Sequence, residues 1–369
     1  MPAEITERKL RGRKNESAWN ATFPHQLPLD RKNNALVARD AVRDFKPDVV
    51  HVHKMADLEV IEALVGSGVP LVRMVHDHDI YCMRSHKYDV LCREICTRAA
   101  GPHCVCSCLA SMARNRDGGS PLKWVSYSDK RREVELDRRF DRMVVVTTYM
   151  RDELLKNGFD PGRIEIHAPV PRMGDPGLRS SFSDRDLILY AGQIIRGKGV
   201  DVLLGSLALH DVPFECVILG DGNHRPHCEA LSKRLGLADR VTSKGFVPQE
   251  ELKAYYRGCS VVALSSLWPE PIATIGLEVM RRALPVVAFD AGGIKDWLVD
   301  GHNGFLVPWM DRQRYADRLE QLLTDKPLGR ALGENGLRLV SDRYDFDGYI
   351  RDLEAMFAQV AAEHRVAKN

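Results

Sequence analysis

Five short apolar runs in the second half of the chain each lead through a glycine- or proline-bearing loop into a stretch of helical periodicity. This alternation does most to limit the available folds. The runs are Leu187 to Ala191, Glu215 to Leu219, Val241 to Lys244, Val261 to Leu264 and Pro285 to Phe289, with helices expected to begin near Val200, Arg225, Gln249, Ala273 and Gly293. Strands spaced by helices pair in parallel, because each crossover returns the chain to the same end of the sheet. Such sheets bind ligands at the carboxyl ends of their strands, where turns and helix N-termini present unpaired N–H groups.

The first half carries the same alternation more loosely: a strand at Asp48 to Val52, a helix from Leu58 to Val65, strands at Pro70 to Val75 and Arg142 to Thr147, and a helix from Tyr149 to Asn157 that stops at Gly158. At 369 residues the chain exceeds what one core usually serves. The expected fold is α/β, with two Rossmann-like doubly wound domains facing a cleft. An N-terminal domain would occupy residues 1–171 with a Cys-rich insertion at 82–108, a second domain 172–345, and a C-terminal helix 346–369. The segment Ala168 to Ser183, dense in Pro, Gly and Ser, reads as the linker.

Lys plus Arg number 53 against 51 Asp plus Glu, a net charge of +2, so no whole-protein field argues for nucleic acid. No apolar run is long enough to span a bilayer, and the start MPAEITERKLRGRKNES is too polar for a signal peptide. With nine cysteines, an odd number, the expectation is a cytoplasmic protein with thiols or metal ligands before disulfides. The basic stretches Lys130 to Arg132 and Arg138-Arg139 would allow peripheral contact with anionic lipid at the inner face of a membrane. Their interleaving with Glu133, Glu135 and Asp137 fits a solvated face better.

Three loops of the second domain carry chemistry. Ala191-Gly-Gln-Ile-Ile-Arg-Gly-Lys-Gly-Val200 follows a strand and opens a helix, so Arg196 or Lys198 would neutralise a diphosphate beside backbone donors. A solvated basic loop is the plain alternative. Leu219-Gly-Asp-Gly-Asn223 resembles half a dinucleotide fingerprint, and a tight turn accounts for Gly220 and Gly222 equally well. The third loop, Ser265-Ser-Leu-Trp-Pro-Glu-Pro-Ile-Ala-Thr-Ile-Gly-Leu-Glu278, sets Glu270 and Glu278 on either side of a helix N-terminus. Glu270 is then free to reach a sugar and Glu278 to hold a ribose diol.

The order Ala-Gly-Gln with Lys-Gly-Val-Asp, Leu-Gly-Asp-Gly, Lys-Gly-Phe-Val, Trp-Pro-Glu-Pro with Leu-Glu, Ala-Gly-Gly and Asp-Gly-x-Asn-Gly-Phe-Leu-Val-Pro resembles the C-terminal domain of the GT-B fold, family four retaining glycosyltransferases, from Leu187 to about Tyr344. The resemblance implies that Lys198 contacts the donor diphosphate, Glu278 the ribose, Glu270 the donor sugar and Val247 the base through its backbone. Gly192, Arg196, Gly222, Ile272, Ala273 and Thr274 complete the implied donor-binding set. The donor would be a UDP- or GDP-linked sugar, and the acceptor a sugar or lipid-linked sugar in cell-surface polysaccharide or glycolipid synthesis. Transfer would proceed with retention, by a front-face route, with no cofactor required for catalysis. Two departures stand out: Gln193 replaces the family's usual arginine, and Ala273 its usual glycine.

In the first domain the resemblance places His76, at the end of its strand, against the donor sugar as a catalytic group beside Glu270. His53 is a weaker candidate, and Asp77 and His78 are candidates by adjacency. The family's opening strand and glycine-rich turn are not found in residues 1–45, so the N-terminal domain is expected to be shortened. Six cysteines lie between Cys82 and Cys108; either they are loose thiols, or Cys92, Cys96, Cys104 and Cys108 form the ligand set of a structural zinc site, with iron–sulfur ligation as a further alternative. A non-catalytic nucleotide-sugar-binding protein, or a metal- or redox-sensing one on the same fold, is the alternative to an enzyme.

Overall fold

The computed structural model describes residues 31–89, 91–106, 108–114, 122–170 and 185–368. The linker read from Ala168 to Ser183 therefore falls almost wholly outside the described residues, as does most of the segment in which an opening strand was sought.

Within the first lobe the chain runs α1 (Arg31–Phe45), β1 (Val50–His53), α2 (Leu58–Val65) and β2 (Leu71–Val75). An insertion follows with two small hairpins and a short helix: β3 (Tyr88–Asp89), β4 (Glu94–Ile95), α3 (His103–Cys106), β5 (Met112–Arg114) and β6 (Leu122–Trp124). Then come α4 (Tyr127–Asp137), β7 (Arg142–Val145), α5 (Thr148–Lys156) and β8 (Ile164–Ile166). Asp57 starts α2 by accepting from the N–H groups of Glu59 and Val60, and Thr147 starts α5 by accepting from Met150 N–H. The parallel sheet has the order β1-β2-β7-β8, so β1 is an edge strand among the described residues. Strand β8 was missed in the sequence because three residues, Ile-Glu-Ile, are too few to show a period.

The second lobe continues β9 (Leu187–Ala191), α6 (Val200–Leu207), β10 (Glu215–Leu219), α7 (Arg225–Arg234), β11 (Val241–Gly245), α8 (Gln249–Gly258), β12 (Val261–Leu264), α9 (Thr274–Met280), β13 (Val286–Phe289) and β14 (Gly304–Val307). Its six parallel strands lie in the order β11-β10-β9-β12-β13-β14, which places β9 and β12 side by side at the point where the winding reverses. Every residue of β9, β12 and β13 is buried, as a sheet covered on both faces requires. The helix expected near Gly293 is a single 3-10 turn, Gly293–Asp296, and β14 was not read as a strand.

Helices α10 (Arg312–Thr324), α11 (Lys326–Arg343) and α12 (Phe346–Lys368) close the chain. The last returns to the first lobe. Glu363 accepts from Arg142 at 2.7 Å, His364 Nε2 donates to Gly68 O at 2.9 Å, and Phe357 meets the His51 ring at 5.0 Å. Among the described residues no helix is long and apolar enough to cross a membrane.

Candidate functional site

The loops that end β9 and β12 are built against each other. Gly199 sits at φ +65°, and a Cβ there would come within 2.1 Å of Ser265 O, so only glycine lets the first loop close onto the second. Leu267 N and Trp268 N both donate to Gly197 O, and Ser265 Oγ donates to Lys198 O. Lys198, carried in the turn Arg196–Lys198, thereby reaches Glu270, its Nζ standing 2.5 Å from Oε1.

Glu270 is buried, and the same Oε1 also accepts from Ser266 Oγ at 2.5 Å and Trp268 Nε1 at 2.9 Å. Burial alone would push this carboxyl upward. The Lys198 ammonium and the donors Ser266 and Trp268 outweigh it, and hold the group ionised below the ordinary range. The carboxylate expected to be free for a sugar is therefore already engaged through one oxygen. None of these three bonds uses Oε2.

Backbone pairing fixes the loop from behind, with Glu270 N donating to Ala291 O and Gly293 N to Glu270 O at 2.7 Å. Helix α9 begins at Thr274, one residue later than expected, and no side chain caps it. Ala273 holds φ +57°, a left-handed conformation that costs an alanine roughly 1 kcal/mol or more and a glycine little. Here lies the physical reason for a glycine at this position in the family. Glu278 is half-buried in α9, and burial raises its carboxyl above the usual value against the opposing pull of Arg282.

Three other residues of the implied donor set lie in loops of the same lobe. Arg196 is exposed and Val247 half-buried beside exposed Phe246. Gly222 packs on the neighbouring loop, where a Cβ would come within 2.3 Å of Ile194 O, so loop packing alone accounts for this glycine.

Across the cleft, three imidazoles form a chain at the ends of β1 and β2. His53 Nδ1 lies 2.8 Å from His76 Nε2, and His53 Nε2 lies 3.2 Å from His51 Nδ1. Burial first, then the neighbouring ring of His53, pushes both His51 and His76 down to about 4, so the chain is neutral at physiological pH. Each neutral ring has one N–H, and the chain must therefore run in one direction. His51 Nε2 is buried without a partner. Burying a bare lone pair there is less costly than burying an orphaned N–H, which sets the protons running from His51 to His53 to His76. His76 then holds its remaining proton on Nδ1 as a donor. Nothing in the sequence signalled this dependence of His76 on His51.

His78, a candidate by adjacency alone, joins the lobes instead. Its Nε2 donates to Pro269 O at 3.0 Å, and its Nδ1 lies 2.7 Å from the Tyr81 hydroxyl. Thr147 Oγ1 donates to Pro271 O at 2.8 Å, and Thr148 Oγ1 to Asp296 at 2.8 Å. These clasps hold the His76 side of the cleft against the loop that carries Glu270. Asp77 is engaged locally, by Lys54 Nζ at 2.7 Å and by Asp79 N.

The Cys-rich insertion also reaches the second lobe: Arg93 makes a bidentate pair with Asp201 in the first turn of α6, at 2.7 and 3.0 Å, and the His86 ring tilts against Trp268 at 5.5 Å. Among the described residues, Asp201, His224 and His227 are the one trio of metal-ligating side chains whose donor atoms all lie within 4.8 Å of one another. The Arg93 guanidinium already supplies the positive charge there. Of the expected cysteine set, Cys96, Cys104 and Cys108 line one small cavity, but Cys92 is exposed and does not, and Cys82 stands in its place. Burial, then the nearby sulfurs, pushes the Cys104 and Cys108 thiols upward.

The sequence model of the family described as Glycosyltransferase Family 4 matches residues 7–169, and that of Glycosyl transferases group 1 matches residues 179–338, so together they take in most of the chain. The chain belongs to this family and has its two-domain α/β GT-B fold. It is 31% identical over 185 residues to an alpha-D-kanosaminyltransferase of Streptomyces kanamyceticus, with 49% of this chain and 48% of that protein covered. It is 34% identical over 248 residues to a D-inositol 3-phosphate glycosyltransferase of Xylanimonas cellulosilytica, covering 62% and 59%. The matched regions thus span about half to three-fifths of these relatives' length. Anabaena HepE in complex with UDP superposes with a TM-score of 0.68 at 19% identity, over 88% of this chain and 82% of its own. The sucrose-phosphate synthase of Thermosynechococcus elongatus gives 0.71 at 16%, over 96% and 83%.

Proposed function

We propose that the chain transfers a sugar from a nucleoside-diphosphate donor to an acceptor hydroxyl with retention of anomeric configuration. The single observation that carries the reading is the Lys198–Glu270 pair, set at the mouth of the sheet and clasped by His78 to the lobe that bears His76.

In this reading Lys198 leaves part of its bond with Glu270 for the β-phosphate, beside the uncapped N–H groups at Ala273 and Thr274. Glu270, freed on one oxygen, accepts from hydroxyls of the sugar, while Glu278 accepts from the ribose diol. His76 Nδ1–H donates to the sugar near its anomeric carbon. The bond from that carbon to the diphosphate breaks as the acceptor oxygen bonds to the same face, and the acceptor proton passes to the departing diphosphate oxygen. Positive charge at Lys198 stabilises the developing negative charge, the kind of preorganised electrostatic effect that dominates many transfer reactions.

A uridine donor is the first to test, since Anabaena HepE, which shares the fold, was also solved with UDP-glucose. The acceptor we infer is a sugar or lipid-linked sugar hydroxyl of a cell-surface polysaccharide or glycolipid, met from the cytoplasmic side. Titration calorimetry with UDP and GDP, followed by NMR of the product's anomeric proton, tests the proposal. The expected result is saturable binding of one of the two, and turnover giving a product with the donor's configuration. Binding without release of the nucleotide from any donor sugar sinks the enzymatic reading, and an inverted product sinks retention.

A further inference from the structure

We propose that Cys82, Cys96, Cys104 and Cys108 form a four-thiolate site for a single zinc ion, which fastens the insertion between the two lobes. The four thiols come from three separate turns of the insertion and converge on one cavity, whereas Cys92 and Cys106 point to solvent. The cavity offers about 20 Å³, room for one water-sized sphere, which suits a lone ion.

Zinc–sulfur bonds of about 2.3 Å in a tetrahedron set the sulfurs about 3.8 Å apart. In this structure no three of these sulfurs lie within 4.8 Å of one another. Binding therefore requires rotation about the Cα–Cβ bonds, which moves a sulfur by about 3 Å between rotamers. Binding releases one proton from each thiol to solvent, and leaves a centre of net charge −2.

The surroundings answer that charge. Arg84 and Arg98 line the same cavity, with Arg84 donating to Cys108 O at 2.6 and 3.0 Å. His103 Nε2, 3.6 Å from Cys104 Sγ, is placed to donate to a bound thiolate. The insertion is docked on α5 through the buried Lys87–Glu153 pair and the bond from Ala100 N to Asn157 Oδ1. Its opposite side holds Asp201 and Trp268. A metal here orders the element that braces the loop of Glu270. The site itself does not depend on the proposed activity.

The test is metal analysis of the whole chain purified without chelators. The expected result is about one zinc per chain, kept in Cys92→Ser and Cys106→Ser and lost in Cys82→Ser and Cys104→Ser. Should those last two fail to fold, alkylation of the wild type decides: Cys92 and Cys106 react at once, and the other four only after a mercurial displaces the metal. Cobalt loaded into the wild type should give the charge-transfer absorption of a four-sulfur site. No zinc together with no cobalt uptake overturns the proposal. So does a Cys92→Ser chain that loses the metal while Cys82→Ser keeps it, iron with labile sulfide, or disulfides among the four.

Discussion

Replacing Lys198 by methionine keeps the length of the side chain and removes the charge that holds Glu270 ionised. In the wild type burial of Glu270 is opposed by the 2.5 Å ammonium contact and by the Ser266 and Trp268 donors, and its folded pKa lies below the ordinary glutamate value of 4.5. The unfolded chain then binds more protons than the folded one just below pH 4.5, and the group's contribution to stability is present above that value and lost as pH falls. In Lys198→Met burial is left against two neutral donors, and the folded pKa moves above 4.5. The folded state now binds the extra proton, so stability declines as pH rises from 4.5 to the new pKa. Breaking a buried pair by removing one partner typically costs about 3 to 5 kcal/mol. Because the Lys198 side chain is 22% exposed and two donors to Oε1 remain, about 2 to 3 kcal/mol is expected at pH 8, shrinking to about 1 kcal/mol near pH 5. Urea unfolding of both chains across that range measures the difference. Glu270→Gln, which keeps neutral hydrogen bonding, should cost about 1 kcal/mol, and the double variant less than the sum of the singles. A wild-type-minus-variant difference that is small and independent of pH refutes the pairing.

The kcat/KM of the wild type should hold its plateau well below pH 6.5, with an acid limb near 4 where His76 gains its second proton. His53→Phe should raise that limb, since the second ring's repulsion is gone, and should lower kcat by about tenfold through the loss of the fixed tautomer. His78→Phe removes a bond between the lobes that falls on Pro269, the residue before Glu270. It is expected to raise the donor KM and to increase hydrogen exchange in the loop 265–273, and an unchanged exchange pattern tells against the clasp. Ala273→Gly, relieving a left-handed alanine, should stabilise the chain by about 0.5 to 1 kcal/mol after the entropy of the new glycine is counted, as read by thermal unfolding. A drop in Tm of several degrees contradicts the strain argument.

What the sequence disclosed follows from what burial demands of it. Strands β9, β12 and β13 are covered on both faces, and each shows as an unbroken apolar run; β8 has three residues with a glutamate at its centre, and β14 opens on a glycine inside a turn-like Asn-Gly pair. The donor loops were legible for a related reason: glycine is nearly obligatory where Gly199 faces Ser265 O, and such positions recur as motifs. Which side chain meets which was not legible. Lys198 and Glu270 could each be named, yet their pairing depends on how β9 and β12 adjoin in the sheet. His78 and His76, two residues apart, look equivalent in sequence, and only the docking of the lobes makes His78 a clasp.

The cysteines show the same limit most plainly. Cys92 is nearer in sequence to the later three than Cys82 is, but Asp89 accepts from the N–H groups of Leu91 and Cys92 and turns that tip to solvent. Cys82 instead closes a turn onto His78 O, directly beyond the strand that bears His76. Cys82 thus lies six positions along the chain from His76, the imidazole proposed to meet the donor sugar. Through Arg93 and His86 the same insertion touches the first turn of α6 and the Trp268 that donates to Glu270.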